Sequence, residues 1–303
     1  MVPAAVRERA LASYLGLAIG DALGATTEFM TPQEIRSAYG VHNELRGGGW
    51  LHIKPGRVTD DTQMAMALGD SIIEKGKVEP KAAADAFIGW MRSKPPDIGG
   101  TVRRGLQRYI VNGTTEAEPS EQAAGNGAAM RNLPVALAAL NDDELFRDWS
   151  MAQAHVTHNN RLSDGGTVLL CDMARQAVVN GQTAPLHSIA RMWIALYPEF
   201  EYKKFKTSDS DGYIVHTARV VLNFFFNTLD FESCLTGVVN IGGDADTNAA
   251  LAGQIAGAFY GLDSIPSRWL KKLDPAVRDR IEKQVDGLLE ISARQSMSTT
   301  SDI

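Results

Sequence analysis

Apolar residues recur at helical spacing along most of the chain, and they predict a protein built of helices. Residues 6–23 carry Leu11, Leu15, Ala18 and Ala22 on one broad face. The same spacing predicts helices over residues 32–39, 62–75, 80–92, 101–111, 142–156, 167–179, 184–196, 213–227, 231–239, 267–273 and 275–295. Nowhere do β-branched residues alternate with polar ones as they do in strands. We therefore predict one all-α domain over residues 1–295, followed by a loose tail over residues 296–303.

Two predicted helix starts combine hydroxyl and carboxylate side chains. One is Thr59-Asp60-Asp61-Thr62, and the other is Gly243-Asp244-Ala245-Asp246-Thr247-Asn248. A single side-chain oxygen can cap a helix, whereas several adjacent acids repel each other unless a cation lies between them. Hard oxygen ligands favour Mg²⁺, Mn²⁺ or Ca²⁺. We predict that the two helix starts meet and bind metal; the alternative is two independently capped helices with surplus surface acids.

Two of the helices carry small residues at every fourth position. The first stripe is Gly16, Gly20 and Gly24, and the second is Ala249, Gly253, Gly257 and Gly261. A glycine inside a helix costs about 1 kcal/mol relative to alanine, so we expect close packing of the two helices to offset that cost. Their contact would bring Asp21 and Glu28 toward the acidic motifs. The alternative is coincidence in a chain rich in glycine and alanine.

Three further features are candidates for binding or catalysis. Asp97 follows Pro95 and Pro96, which would hold it rigidly, although it could simply cap the next helix. The small residues at 125–131 precede a helix and could cradle an anion on free N–H groups. His158 lacks soft metal-ligating neighbours, and we favour a substrate contact over a metal role.

Composition narrows the class of protein. The 303 residues are 44% hydrophobic and 22% charged, enough for one large core, and the formal net charge of −6 argues against nucleic-acid binding. Cys171 and Cys234 lie in apolar helical patterns and are predicted to be buried thiols. No signal peptide or apolar run of membrane-spanning length is evident, so we expect a soluble, cytoplasmic protein.

Taken together, these motifs resemble the ADP-ribosylglycohydrolase family. The matching pieces, in family order, are Gly20-Asp21-Ala22-Leu23-Gly24 with Glu28, Thr59-Asp60-Asp61-Thr62, Gly125-Asn126-Gly127-Ala128-Ala129-Met130-Arg131, Thr157-His158 and Gly243-Asp244-Ala245-Asp246-Thr247-Asn248. Many members have Thr where this chain has Ala245. That position lies between the candidate metal ligands Asp244 and Asp246, so the difference puts the resemblance in little doubt.

The resemblance implies an orthogonal bundle of helices with a dinuclear Mn²⁺ or Mg²⁺ site in a cleft. It also implies hydrolysis of the bond that joins ADP-ribose to an arginine of a target protein. The metal ligands would be Thr59, Asp60, Asp61, Asp244, Asp246 and Thr247. The catalytic candidates are Asp97, Asp60 and Glu28, with Glu28 either a ligand or an acceptor for metal-bound water. The substrate-binding candidates are Gly125, Asn126, Gly127, Ala128, Met130, His158, Asn159, Asp97 and Gly99.

The loops at 95–99 and 157–166 are most similar to those of family members that reactivate the nitrogenase iron protein. This similarity implies that protein as the target. It also implies control by a PII signalling protein, which would draw the enzyme reversibly to a membrane ammonium channel. Two alternatives keep the fold: a hydrolase of ADP-ribosyl-serine or O-acetyl-ADP-ribose, and a non-enzymatic, crystallin-like relative.

Overall fold

Helices account for nearly all regular structure in residues 2–300, the part of the chain that the computed structural model describes. The α-helices of this part are α1 (Ala4–Gly24), α2 (Pro32–Tyr39), α3 (Asp60–Lys75), α4 (Pro80–Arg92), α5 (Gly100–Asn112), α6 (Leu133–Ala138), α7 (Asp143–Ala154), α8 (Arg161–Asn180), α9 (Leu186–Leu196), α10 (Ile214–Asn227), α11 (Phe231–Val239), α12 (Ala245–Tyr260), α13 (Ser267–Lys272) and α14 (Pro275–Thr300). The all-α prediction is confirmed, because residues 2–300 contain isolated β-bridges but no strand.

Local sequence signals explain several helix boundaries. Thr31 and Glu34 form a reciprocal capping box at the start of α2, with Pro32 in its first turn. Helix α3 ends at Gly76, whose left-handed conformation (φ 69°) suits a residue without a Cβ. These boundaries lie within two residues of those predicted, which is the usual uncertainty of helix ends.

The start of α8 differs from the prediction by six residues. Helix α8 begins at Arg161, and not at residue 167, because the Asn160 side chain caps it by accepting the N–H groups of Leu162 and Ser163. Gly165 and Gly166, which suggested a loop, lie inside the helix. A Cβ at Gly165 would lie 2.7 Å from the Tyr197 ring, so these glycines serve close packing.

The central contact of the fold is an antiparallel crossing of α1 and α12. A Cβ added to Gly16, Gly20 or Gly24 would come closer than 3.0 Å to a backbone carbonyl of α12. Their partners are Gly253, Ala249 and Ala245, so partner numbers fall by four as the α1 numbers rise by four. The predicted packing of the glycine stripes is thus confirmed. The helices meet backbone to backbone.

One member of the predicted stripe lies outside this crossing. Gly261 follows the last residue of α12 and has a φ of 86°. A Cβ added to it would have no neighbouring atom within 4 Å. It ends the helix, as glycine commonly does. The α1 partner of Gly257 is Ala12, one turn further along the same register.

The core surrounds this helix pair. Residues 10–24 of α1 are all buried, as are residues 245–258 of α12. Both cysteines are buried free thiols, as predicted. No helix among the described residues is both long and apolar enough to cross a bilayer. Helix α14 continues to Thr300, so the backbone of residues 296–300 in the predicted loose tail is helical. Residues 301–303 and the side chains of residues 296–300 lie outside those described, so the looseness of the tail stays a prediction.

The α1–α12 crossing predicts that alanine destabilises where glycine touches backbone. Gly20→Ala should lower the free energy of unfolding by about 1–3 kcal/mol, because the methyl group overpacks against the Ala249 carbonyl. Gly89 of α4 is the matched control: it is exposed, and nothing lies within 4 Å of its added Cβ. Gly89→Ala should stabilise by up to about 1 kcal/mol. Urea unfolding of both variants measures the contrast, and equal effects would place α1 away from α12.

Candidate metal centre and active site

Asp21, at the C-terminal end of α1, caps the start of α3. Its carboxylate accepts the N–H groups of Thr59 (2.9 Å) and Thr62 (3.1 Å) and both of their hydroxyls, at 2.9 and 2.5 Å. Asp21 therefore lies beside the acidic motifs as predicted, and it serves as a cap. Because α3 is capped from outside, Asp60 and Asp61 are free to face other partners.

The two acidic helix starts meet at Asp61. Its Oδ2 atom lies 3.3 Å from the hydroxyls of both Thr59 and Thr247, the second of which belongs to α12. Its Oδ1 atom is buried and has no hydrogen-bond partner among the described residues. An unpaired carboxylate oxygen in the interior is destabilising. A cation at this position would satisfy it.

A second group of carboxylates lies beside the first. One oxygen each from Glu28, Asp244 and Asp246 lies within 4.8 Å of the others, close enough to ligate one ion. Trp50 Nε1 donates to Glu28 Oε2 at 2.6 Å, and Asn126 Nδ2 donates to Asp244 Oδ2 at 2.5 Å. These bonds orient carboxylates toward the cluster in the way that partners of metal ligands do.

Burial raises the pKa of every carboxyl group in the cluster. It raises the pKa of Asp21 and of Asp244 to about 6, against the hydrogen bonds that each accepts, and the pKa of Glu28 to about 8. Burial first and repulsion between neighbouring acids second hold the pKa well above the usual range for the remaining three acids, Asp60, Asp61 and Asp246. In the absence of a cation such shifts favour the protonated forms of these acids, whereas a bound cation would favour the charged forms.

The donor set fits a hard divalent cation. Carboxylate and hydroxyl oxygens surround the site, and among the described residues no lysine or arginine forms an ion pair with these acids. Cysteine and histidine ligands, which would favour zinc, are absent from the described cluster. Glu28 was predicted either as a metal ligand or as an acceptor for metal-bound water. One of its carboxylate oxygens lies within 4.8 Å of oxygens of Asp244 and Asp246, so the three residues could bind the same ion.

The acids open onto a cleft of about 530 Å³. Asp60, Asp97, Asp244 and Asp246 line it, and no lysine or arginine is among its lining residues. A larger cavity of about 900 Å³ lies between α3 and α4. That cavity contains none of the cluster acids, so the smaller cleft is the better candidate for chemistry.

Asp97 faces this cleft and does not cap α5. The residue at the cap position is Gly99, and Asp97 Oδ1 instead accepts the N–H of Ile98 at 2.8 Å. Partial burial raises the pKa of Asp97. After burial, repulsion from Asp97 contributes most to raising the pKa of Asp60, so the two carboxylates share one electrostatic environment. Its alternative interpretation as a helix cap is wrong.

Gly125 and Gly127 lie against the ring of His158. A Cβ at Gly127 would come 2.9 Å from His158 Cε1, so only glycine allows this approach. Asn126 N–H donates to Gly212 O, whereas the N–H of Gly127 donates to no acceptor among the described residues. His158 is buried, and burial with repulsion from Arg131 lowers its pKa to about 3. The imidazole is therefore neutral at physiological pH.

Two predicted substrate residues do not line the cleft. Asn159 Nδ2 donates to Ala117 O at 2.7 Å, so its amide holds a neighbouring loop. Ala128 is fully buried and its carbonyl accepts from Gln153. The remaining predicted substrate residues line the cleft, and they are Asp97, Gly99, Gly125, Asn126, Gly127, Met130 and His158.

Several cleft residues were not predicted. Phe29 and Trp50 lie at the cleft with ring centroids 5.2 Å apart, and both are exposed. Trp50 follows three glycines with positive φ values, a turn that the sequence suggested only as an irregular loop. The loop of residues 208–212 also lines the cleft, and a Cβ at Gly243 would collide with Ser210. A polar loop of this kind carries no local signal of its position.

The raised pKa values predict opposite pH trends with and without a cation. The carboxyl groups of the unfolded chain titrate near pH 4, whereas those of the folded cluster titrate at higher pH. Between about pH 4 and 8 the metal-free folded state therefore binds more protons than the unfolded state. Its free energy of unfolding falls as the pH rises. A bound cation requires the charged forms and should stabilise more at higher pH, by about 2.7 kcal/mol at a hundredfold excess over Kd. Thermal unfolding in EDTA and in Mn²⁺ at pH 5–8 measures both trends.

Asp61→Asn tests the origin of these trends. Removing one charge from the cluster should flatten the metal-free pH dependence and weaken the stabilisation by Mn²⁺. If Mn²⁺ fails to stabilise the unsubstituted protein at any pH between 5 and 8, the cluster is not a cation site.

Comparisons with known proteins agree with this geometry. Residues 2–297 match the profile of the family described as ADP-ribosylglycohydrolase. The chain is 47% identical over 292 residues to the ADP-ribosyl-[dinitrogen reductase] glycohydrolase of Rhodospirillum rubrum, covering 96% of this chain and 99% of that protein. It is 31% identical over 285 residues to the ADP-ribosylarginine hydrolase Tri1 of Serratia proteamaculans (strain 568), covering 88% and 75% respectively.

The fold also superposes on a solved ADP-ribosylglycohydrolase-related protein complex. The TM-score is 0.83 at 33% sequence identity, and the superposition covers 95% of this chain and 99% of the other. The resemblance predicted from the acidic and glycine-rich motifs is confirmed by these matches.

Proposed function

The chain belongs to the ADP-ribosylglycohydrolase family, and on that basis we propose that it is a hydrolase that removes ADP-ribose from an arginine side chain of a target protein. The observation that carries this proposal is the meeting of Asp97, the acidic cluster and the Gly125–Gly127 loop in one cleft. A carboxylate beside a cation site suits the ribose and its bond to the guanidine, and a loop with a free N–H group suits the diphosphate.

Two divalent cations, Mn²⁺ or Mg²⁺, are proposed to complete the site. Their ligands would come from Glu28, Thr59, Asp60, Asp61, Asp244, Asp246 and Thr247, of which Asp61 and Thr247 join the two helix starts. Bound divalent cations orient hydroxyl groups and lower the pKa of a water molecule. Thr59 would offer only a lone pair, since its hydrogen is directed at Asp21.

Asp97 is proposed to act at the sugar carbon. Breaking the bond to the guanidine leaves positive charge on the ribose, and a nearby carboxylate stabilises that charge. The alternative role is proton transfer, since its raised pKa would let it hold a proton for the departing guanidine. Asp60 is proposed to act as a metal ligand, and its carboxylate interacts electrostatically with that of Asp97.

The glycine loop and His158 are proposed to hold the ADP-ribose. The free N–H of Gly127 suits an oxygen of the diphosphate. The cleft lining contains no lysine or arginine, so binding of the diphosphate would rest on backbone N–H groups, the neutral His158 and the cations.

The proposed target is dinitrogen reductase, the substrate named for the Rhodospirillum rubrum relative. Removal of ADP-ribose from its arginine would reactivate it and so regulate nitrogen fixation. A cytoplasmic location fits that target. Control by a PII protein and reversible recruitment to an ammonium channel remain predictions from the family resemblance.

A side-by-side assay tests the proposed substrate. ADP-ribosyl-arginine and ADP-ribosyl-serine peptides are incubated with the protein in Mn²⁺ or in EDTA, and released ADP-ribose is quantified. We expect release from the arginine conjugate only, and at least a hundredfold less in EDTA, the scale of a lost charge-stabilising group. Preferred release from serine would favour the alternative hydrolase, and no release from either conjugate would favour a non-enzymatic protein.

Asp97→Asn separates catalysis from binding. The substitution keeps the shape of the side chain and removes its charge, so kcat should fall by about 10²-fold or more, as for other acid–base groups. Affinities for ADP-ribose and Mn²⁺, measured by calorimetry, should change much less. Asp263→Asn, at an exposed carboxylate outside the cleft, is the control. Loss of affinity in proportion to rate would make Asp97 a binding residue.

A further inference from the structure

Arg131 is a buried cation whose hydrogen-bond partners are all neutral. Its side chain is fully buried, and its guanidinium lies 4.2 Å from the centre of the Phe87 ring. Nε donates to Gln153 Oε1 at 2.8 Å, and Nη2 donates to Gln153 O at 3.0 Å and to Thr157 Oγ1 at 2.8 Å. Nη1 has no partner among the described residues. A buried charge without a counter-ion is destabilising, so packing alone does not account for an arginine at position 131.

The hydrogens of this group determine the tautomer of His158. A guanidinium can only donate, so Thr157 Oγ1 accepts from Arg131. The other partner of Thr157 Oγ1 in the described structure is His158 Nδ1, at 2.7 Å. The oxygen could accept a second hydrogen bond, but its own hydrogen has no acceptor other than Nδ1 among the described residues. Since a buried hydroxyl hydrogen left unpaired is destabilising, the hydrogen points to Nδ1, which acts as an acceptor. The proton of the neutral ring then lies on Nε2.

The Nε2 atom faces the candidate binding loop. A Cβ at Gly127 would lie 3.1 Å from it, and one at Gly125 would lie 3.3 Å from it. His158 itself lines the cleft. The Nε2–H group is thus available to an acceptor atom bound beside the two glycines, such as an oxygen of a phosphate or of a ribose.

We infer that Arg131 and Thr157 are positioning residues that hold His158 as a fixed Nε2–H donor in the cleft. His158 then supplies a hydrogen bond and takes no part in proton transfer, because Nδ1 is occupied and the ring stays neutral. The use of this donor for ADP-ribose rests on the proposed function. The tautomer itself does not.

The test reads the ring directly. Long-range ¹H–¹⁵N spectra of the full-length, ¹⁵N-histidine protein in diamagnetic Mg²⁺ distinguish an Nε2–H ring from an Nδ1–H ring, and His158→Gln assigns the signal. The unsubstituted protein should show Nε2–H. Thr157→Val, which removes the hydroxyl at constant shape, should give a mixed signature and weaken ADP-ribose binding about 5- to 10-fold, the range of one hydrogen bond. Thr157→Ser should restore both.

Thr167→Val is the matched control. Thr167 is also fully buried, but its hydroxyl has no partner among the described residues, so the same change of atoms should leave the His158 signature and the ADP-ribose affinity unaltered. An Nδ1–H signature in the unsubstituted protein, or an unchanged ring in Thr157→Val, would overturn the inference. An equal loss of affinity in Thr167→Val would do the same. Absence of ADP-ribose binding by the unsubstituted protein would contradict the proposed function while leaving the ring signature readable.

Discussion

Helix α1 can approach α12 closely only because each presents small residues to the other's carbonyl groups. The consequence reaches the cleft, since the same crossing places the C-terminal end of α1 beside the N-terminal end of α12. Asp21 therefore lies where its carboxylate caps α3. A carboxylate oxygen of Glu28 lies within 4.8 Å of one of Asp246, close enough for both to bind one ion. Three chain segments that are far apart in sequence thereby bring their acids together. The electrostatic repulsion among those acids is opposed by backbone packing.

The site concentrates negative charge in its walls and keeps positive charge behind them. Burial raises the pKa of Asp244 and of Glu28, and no lysine or arginine lines the cleft. The buried cation Arg131 acts through Thr157 on His158. Such an arrangement suits metal ions and a neutral hydrogen-bond donor in the inner cleft.

Local pattern was enough to predict the features that depend on few residues. The helices follow from apolar spacing, and the acidic motifs at Asp61 and Asp244 follow from having more carboxylates than a cap requires. The glycine stripes predicted the central crossing because close packing against a neighbouring helix offsets the cost of glycine within a helix. Gly261 was wrongly included, since a helix-ending glycine has the same spacing as a packing glycine.

Features that depend on distant contacts were missed. Trp50 reaches Glu28 through a turn of three positive-φ glycines, a conformation that periodicity does not reveal. Asn159 carries an amide that suits a substrate, but its carbonyl partner at Ala117 lies in a loop whose path is set by tertiary structure. Asn160, one residue on, is a cap for α8 and shifted its start. In each case a polar side chain had two plausible partners, and packing decided between them.

The central crossing also constrains how the protein is made. Ser13 donates to the carbonyl of Gln254, 241 positions later in the chain. At typical translation rates the first helix waits roughly 10–50 s for its partner to be synthesised. During that interval the apolar residues 10–24 of α1, which are buried in the finished molecule, are exposed on the ribosome, where chaperones bind such segments. A nascent chain that stops before Asp244 lacks both the cover for α1 and two of the five proposed acidic ligands, so we expect prematurely terminated products to be inactive.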